Sequence, residues 1–362
     1  MMVHTKTVSL DEHGGWAGIL RQLTGGDHLS AEAANAAMTE ILGGKATLAQ
    51  IAGFVIGLRT KGETAEELVG LLSAMRGASE AVPLDPAGLI DTCGTGGDNS
   101  GSINVSTAAA LVAVGAGAKV CKHGNRSASS KCGSADVLEA LGAVIDLGPD
   151  GVARCVAETG FGFCLAPRFH PAMRHAGPAR RELGVATVFN FLGPLANPAR
   201  VKRQLVGTSD RAMAEIMLEV LAATGSERAM VVHSHDGLDE LSTTSPTDVW
   251  ELRDGDTRQH TVDPAGLGLA PARAEDLVGG DASVNANCLR QVLDGQAGAH
   301  RDIIVLNTAA ALVVAEVSDT LERGLEAAAA SIDNGRAGQV LEDFISASND
   351  ARAQEETDET GT

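Results

Sequence analysis

The chain has 362 residues and a net charge of −19 at pH 7, with 47 Asp and Glu against 28 Lys and Arg; aromatics make up only 2% and Tyr is absent. Such a charge balance argues against nucleic acid and anionic membranes as partners, and no apolar run approaches the roughly 20 residues needed to span a bilayer. The length suffices for one large or two ordinary domains, with a core built from Leu, Val, Ile and Ala. An anionic substrate would need local cations or metal ions.

The six cysteines, at 93, 121, 132, 155, 164 and 288, form no C-x-x-C pair. They read as reduced, mostly buried thiols and not as a disulfide framework. The opening residues are polar and charged through Gly14-Gly15, which predicts no secretory leader and a cytoplasmic protein.

Residues 1–82 predict a helical domain. Trp16, Ile19, Leu20 and Leu23 share one helical face, and Ser30 is placed to cap a second helix ending at Gly43-Gly44. Thr47 and Gln50 have capping-box spacing ahead of Ile51, Phe54, Val55 and Leu58; Thr64 and Glu67 repeat it ahead of Leu68, Leu71, Leu72 and Met75. Pro83 and Pro86 then mark a linker or hinge.

From residue 89 the rhythm becomes strand, turn, helix. Candidate strands are Leu89–Asp91, Ala118–Cys121, Ala143–Leu147, Gly162–Ala166, Gln204–Val206 and Ala229–His233, with helices at about 107–115, 135–141, 150–158 and 210–224. This alternation predicts a largely parallel α/β sheet. Asp254-Gly255 predicts a hairpin between Val249–Leu252 and Arg258–Val262. Residues 283–294, 302–315 and 318–347 read as helical, and the acidic stretch 351–362 as a flexible tail. The expected class is α/β: a small N-terminal helical domain and a larger α/β domain, 83–350, with a mostly parallel central sheet.

Four stretches carry chemistry. The apolar run into Asp91-Thr92-Cys93-Gly94-Thr95-Gly96-Gly97-Asp98, with Asn104-Val105-Ser106-Thr107 opening a helix behind it, is built like a phosphate cradle of backbone N–H groups and a helix N-terminus. It fits neither the G-x-G-x-x-G template, which fails at Asn99, nor the P-loop. Asp98 points to a magnesium-complexed phosphate or to a ligand with hydroxyls. Lys122-His123-Gly124-Asn125-Arg126-Ser127-Ala128-Ser129-Ser130-Lys131 follows a strand and concentrates cations and hydroxyls in an acidic protein. Asp239-Glu240, at another strand end, suits Mg2+. Arg180-Arg181 beside the apolar Phe189–Pro194 segment could hold a carboxylate. No G-x-S-x-G elbow is present.

Gly94-Thr95-Gly96-Gly97-Asp98, Asn104-x-Ser106-Thr107, Lys122-His123-Gly124-Asn125-Arg126, Arg181-Glu182-Leu183-Gly184 and Asp239-Glu240-Leu241-Ser242-Thr243-Thr244, in this order, resemble the anthranilate phosphoribosyltransferases of tryptophan biosynthesis. The resemblance extends to the Asn307-Thr308-Ala309-Ala310 stretch. It implies that phosphoribosyl pyrophosphate is held by Gly94, Gly97, Asp98, Ser102, Asn104, Val105, Ser106 and Thr107, and by Lys122, His123, Gly124, Asn125, Arg126, Ser127, Ala128, Ser129, Ser130 and Ser134. It places anthranilate near Gly94, His123, Asn125, His170 and Arg180, and Mg2+, two ions per subunit, at Ser106, Asp239 and Glu240. It also implies a homodimer joined through the helical domain, to which part of 170–200 would belong. Ala186, Cys93 and Cys132 depart from the commoner family pattern; an Arg is usual at the first of these.

The implied reaction is displacement of pyrophosphate at the anomeric carbon by the anthranilate amine. The arylamine lone pair needs no strong base, so no acid–base residue is assigned, and His123 is the one to test. Alternatives are a pyrimidine nucleoside phosphorylase-like enzyme, a non-enzymatic nucleic-acid-binding relative of the same fold, and a plain metabolite-binding protein. The acidic pair and the Lys122–Arg126 block favour the transferase.

Overall fold

The computed structural model describes residues 9–127 and 130–360. Ala128 and Ser129, two of the expected donor-site residues, lie outside the described residues.

Local capping starts the helical part. Ser30 accepts from the Ala33 N–H at the head of α2 (Ala31–Leu42), and reciprocal capping boxes open α3 (Leu48–Lys61) at Thr47/Gln50 and α4 (Ala65–Gly77) at Thr64/Glu67. In α1 (Gly15–Thr24) Ile19 and Leu23 are buried. The core of these four helices continues into Phe189, Phe191 and Leu192 and into Met213, Met217 and Leu221, so later segments of the chain complete the helical part.

The rest is built on one seven-stranded sheet in the order β3-β2-β1-β4-β5-β6-β7. The strands are β1 (Leu89–Gly94), β2 (Lys119–Gly124), β3 (Phe161–Leu165), β4 (Arg203–Gly207), β5 (Arg228–Ser234), β6 (Thr247–Arg253) and β7 (Asp256–Val262). The first five pair in parallel, and β6 and β7 are antiparallel. The β6–β7 hairpin turns at Asp254 (φ 55°) and Gly255 (φ 88°), the left-handed pair expected of Asp-Gly. The helices are α5 (Val105–Gly115), α6 (Ser134–Leu141), α7 (Pro149–Thr159), the one-turn α8 (Ala166–Phe169), α9 (Gly177–Leu183), α10 (Val188–Leu195), α11 (Arg211–Ala223), α12 (Ala282–Leu293), α13 (Ala299–Val314), α14 (Leu321–Asp333) and α15 (Arg336–Thr360). No described helix is long and apolar enough to cross a membrane.

Three expectations are corrected. Ala143–Leu147 is not a strand, although Ala143, Ile145 and Leu147 are buried in alternation. The Ser348 hydroxyl on α15 accepts from the Val144 N–H at 3.0 Å, so this extended segment packs under a helix without joining the ladder. The helical region predicted at 318–347 divides at Asn334-Gly335 into α14 and α15. The stretch from 351 continues α15 to Thr360, with Ala351 buried and Glu355 accepting from the Gly148 N–H at 2.8 Å; apolar burial and this bond hold what composition marked as a tail. The six cysteines are free thiols, five of them buried.

Candidate active site

Strand order creates the site. The chain runs outward from β1 to β2 to β3, then crosses back to place β4 on the other flank of β1. A crevice is expected beyond the strand ends where winding reverses. The glycine loop leaves β1 there, beside the ends of β2, β4 and β5.

The sheet is also splayed at this point. β1 and β2 pair only at Leu89↔Lys119 and Ile90↔Val120, whereas β1 and β4 pair as far as Gly94↔Gly207. Polar side chains satisfy the backbone groups left over in the gap. Asp91 Oδ1 accepts from the His123 N–H at 3.1 Å, and Asp91 Oδ2 accepts from Asn197 Nδ2 at 2.8 Å. Burial raises the Asp91 carboxyl to about 6. Lys122, almost wholly buried, donates Nζ to the Thr92 carbonyl and, at 3.2 Å, to Ser106 Oγ. Its ammonium is therefore shared with the scaffold of the site.

The acidic pair sits against this arrangement. Asp239 Oδ2 accepts from the Gly96 N–H at 2.7 Å and Glu240 Oε1 from the Ser106 N–H at 3.2 Å. Two glycines make room for Asp239: a Cβ on Gly94 would stand 2.3 Å from its Oδ2, and one on Gly207 would stand 1.5 Å from its carbonyl oxygen. Asn307 on α13 anchors the following residue, accepting from the Leu241 N–H at 2.9 Å and donating to the Leu241 carbonyl at 2.8 Å. Burial and the nearby Asp98 push the Asp239 carboxyl up to about 6, and burial with Asp239 pushes Glu240 up as well. Two carboxylates that repel each other, Asp239 buried and Glu240 half-buried, call for a cation. Among the described residues no group of three or more His, Cys, Asp or Glu forms a ready cation site. The donor chemistry of the pair itself, two carboxylates beside the Ser106 hydroxyl, fits Mg2+, which takes phosphate and water oxygens beside one or two carboxylates.

The glycine loop and helix head are partly committed. Asp98 folds back on Ser100, accepting from its Oγ at 2.7 Å, and Ser100 also contacts Ser102 Oγ at 3.2 Å. Gly97 is left-handed (φ 79°). Val105 belongs to the core, which leaves its backbone to the site. Thr107 Oγ1 is buried and unpartnered. Asn104 makes no cap to its own helix.

At the β2 end the cations are less available than the sequence suggests. Arg126 is paired with Glu139, whose Oε1 accepts from Nη2 at 2.7 Å, and with Asp136 at 3.4 Å. Ser134 Oγ accepts from the Asn125 N–H at 3.2 Å, closing the loop after Gly124. The Ser127 and Ser130 hydroxyls meet at 2.7 Å, and Asn125 is exposed.

On the helical side, His123 lies against His170, with ring centroids 5.1 Å apart. His123 Nδ1 donates to the Gly193 carbonyl at 3.1 Å and His170 Nε2 to the Ala196 carbonyl at 3.0 Å. Burial lowers His123 to about 3 and His170 to about 4, so both are neutral near pH 7. With Nδ1 donating, His123 Nε2 is an acceptor, buried and unpartnered. Arg180 lies over the Phe189 ring at 5.3 Å, its pKa lowered by burial. No carboxylate pairs with it among the described residues, although most arginines here have one. Ala186 is exposed in the turn before α10. Cys93 donates to the Pro194 carbonyl at 3.6 Å and Cys132 to Asn104 Oδ1 at 3.3 Å.

Sequence reasoning gave Asp91, Asn197 and Asn307 no role of their own in supporting the candidate site. A carboxylate inside the run Leu89-Ile90-Asp91 was the available signal for the first, and an amide within an apolar helix for the third.

Known proteins align with this chain along its length. The profile of the glycosyl transferase family a/b domain matches residues 87–338, and that of the family's helical bundle domain matches residues 17–79. The anthranilate phosphoribosyltransferase of Salinispora arenicola is 49% identical over 345 residues, covering 93% of this chain and 98% of the relative. The crystal structure of the Thermus thermophilus enzyme of that name superposes with a TM-score of 0.86 at 38% identity, covering 91% of this chain and 99% of that one. The Saccharomyces cerevisiae enzyme in complex with PRPP and Mg superposes with a TM-score of 0.85 at 29% identity, over 92% and 98% of the two chains. Sequence and architecture agree along nearly the whole length, and the chain belongs to the anthranilate phosphoribosyltransferase family.

Proposed function

We infer that this protein transfers the phosphoribosyl group of phosphoribosyl pyrophosphate to the amine of anthranilate, releasing pyrophosphate, as a step of tryptophan biosynthesis. The observation that carries this reading is a site with two kinds of group: an acidic pair tied to a glycine loop, and a half-buried guanidinium with no carboxylate partner among the described residues. The first suits a metal-bound pyrophosphate and the second an aromatic carboxylate.

The proposed residue roles rest on the family resemblance and are supported by this geometry. Asp239, Glu240 and Ser106 would hold Mg2+, with two ions as the reading for each subunit. Bound there, Mg2+ would neutralise charge developing on the leaving pyrophosphate. The glycine loop, Ser102, Asn104 and the backbone of Val105–Thr107 receive the donor, and Lys122 adds positive charge from beneath. The loop through Ser130, with Ser134, encloses the donor's phosphates; here Arg126 acts by shaping the loop through Glu139. Arg180 takes the anthranilate carboxylate, with Asn125, Gly94 and His170 around the ring. His123 offers its unpartnered Nε2 to an amine N–H. As a neutral imidazole it orients the nucleophile and does not need to carry a proton away. Holding both reactants in one cleft supplies proximity.

The same reading divides the chain into a helical domain, 1–82 with part of 170–200, and an α/β domain from 83 onward. It also gives a cytoplasmic homodimer joined through the helical domain. The test mixes the purified protein with anthranilate, phosphoribosyl pyrophosphate and Mg2+ and follows loss of anthranilate fluorescence, with EDTA as control. Metal-dependent loss with release of pyrophosphate is expected. A folded protein with no turnover across a range of Mg2+ would overturn the reading and make phosphorolysis of a nucleoside the next assay.

A further inference from the structure

The glycine loop is clasped from outside by a segment with no role assigned so far. The Ile103 N–H donates to the Leu277 carbonyl at 3.2 Å and the Gly279 N–H to the Gly101 carbonyl at 2.8 Å, with Ser102 and Val278 forming an antiparallel bridge between them. Asn285, in the first turn of α12, stands behind this clasp and is 1% exposed. Its Oδ1 accepts from the Gly280 N–H at 2.7 Å, and its Nδ2 donates to Asn104 Oδ1 at 2.9 Å. The carboxamide lies so close to Gly279 that a Cβ there would stand 2.3 Å from Oδ1.

These bonds decide what Asn104 can do. Asn104 immediately precedes α5, where an Asn ordinarily turns its side-chain oxygen onto the first N–H groups of its own helix. Here it makes no such cap. Its Oδ1 is taken by Asn285 and by Cys132 Sγ at 3.3 Å, and its Nδ2 donates to the Cys132 carbonyl at 3.2 Å. The acceptor that would close the anion-facing end of α5 is held sideways.

We propose that Asn285 is a positioning residue for the phosphoribosyl donor: it holds the Asn104 side chain off the N-terminus of α5, so that the Thr107 N–H, the first-turn donor left over once the Val105 N–H has gone to the Ile103 carbonyl and the Ser106 N–H to Glu240, stays open to a donor phosphate. Asn285 acts through Asn104. The inference rests on the reading of the glycine loop and α5 as the donor site.

Steady-state kinetics on the full-length protein test it with Asn285→Asp, Asn285→Ala, Asn104→Ala and the double variant Asn104→Ala/Asn285→Asp. Asn285→Asp keeps the side-chain shape and the acceptor for Gly280 but removes the donor to Asn104. The expected result is a KM for phosphoribosyl pyrophosphate raised about tenfold, the factor one competing cap is worth. The anthranilate KM stays within about twofold, while the melting temperature falls, because a buried carboxylate now faces the Asn104 oxygen. Asn285→Ala raises the donor KM at least as far. The effect of Asn285→Asp disappears in the Asn104→Ala background, because the residue to be held is gone. A wild-type donor KM in Asn285→Asp would overturn the proposal. So would both KM values rising together, the mark of a scaffold role, or an undiminished effect in the double variant, the mark of bare charge repulsion. An unchanged donor KM in Asn104→Ala agrees with the proposal, since the side chain to be held away is gone, whereas wild-type protein with no turnover dependent on phosphoribosyl pyrophosphate would refute the donor-site reading itself.

Discussion

Arg180→Ala separates folding from function because the two should move in different directions. In the free protein the guanidinium is half-buried, its pKa lowered by that partial burial, and no carboxylate pairs with it among the described residues. Its one described favourable contact is the Phe189 ring at 5.3 Å, worth about 1 kcal/mol. Truncation loses that contact and relieves the desolvated charge, so the terms oppose and the melting temperature should stay within about 3 °C of wild type. Anthranilate recognition loses a charge-assisted hydrogen bond of about 1.5–3 kcal/mol, raising its KM roughly 10- to 150-fold. The KM for phosphoribosyl pyrophosphate should change far less. Arg180→Lys keeps the charge without the planar fork and should fall between. The assay is fluorescence-monitored turnover with each substrate varied in turn, alongside thermal melting. An anthranilate KM near wild type with a large loss of stability would refute the reasoning, since Arg180 would then be a packing residue. A larger effect on the donor KM would place Arg180 in the wrong half of the site.

Two further expectations follow from the buried ionisable groups. The double variant Asp239→Asn/Glu240→Gln keeps oxygen acceptors for the Gly96 and Ser106 N–H groups, so thermal melting should report an intact fold. Turnover should fall at least about a hundredfold and lose its dependence on Mg2+ in a metal titration; wild-type rates would refute the metal assignment. His170 is held neutral with its pKa lowered to about 4. Its contribution to stability is therefore fully present above its unfolded value of about 6.5 and is lost as pH falls from there toward 4, up to about 3 kcal/mol. The difference in urea midpoint between wild type and His170→Asn should shrink over that interval, and a pH-independent difference would show that His170 titrates normally. The raised Asp91 and Asp239 carboxyls act with the opposite sign but are present in both proteins, so they cancel in the comparison.

Much of this protein was legible from local chemistry. Caps at Ser30, Thr47 and Thr64 act within one helical turn, so spacing alone located α2, α3 and α4. Asp254-Gly255 announced its hairpin because few residue pairs accept two left-handed positions. The glycine loop, the Lys122–Arg126 block and Asp239-Glu240 were visible because each condenses its chemistry into a few consecutive residues. What failed was whatever depended on a distant partner. Ala143–Leu147 alternates like a strand, yet its neighbour is Ser348 on α15 and not another strand. The stretch from 351 reads as solvated, yet Ala351 and Glu355 find partners on the α/β body. Arg126 was counted among the cations for phosphate, and Glu139, thirteen residues later, takes its charge. Lys122, Asp91 and Asn197 have joint meaning only because β1 and β2 part after their second paired residue, which opens unpaired backbone groups that side chains must fill. Sequence determined which elements form and which chemistry each carries to the ends of the strands. Only the tertiary structure decided which charges remain free there, because burial and pairing depend on residues that are far apart in the chain and meet through packing alone.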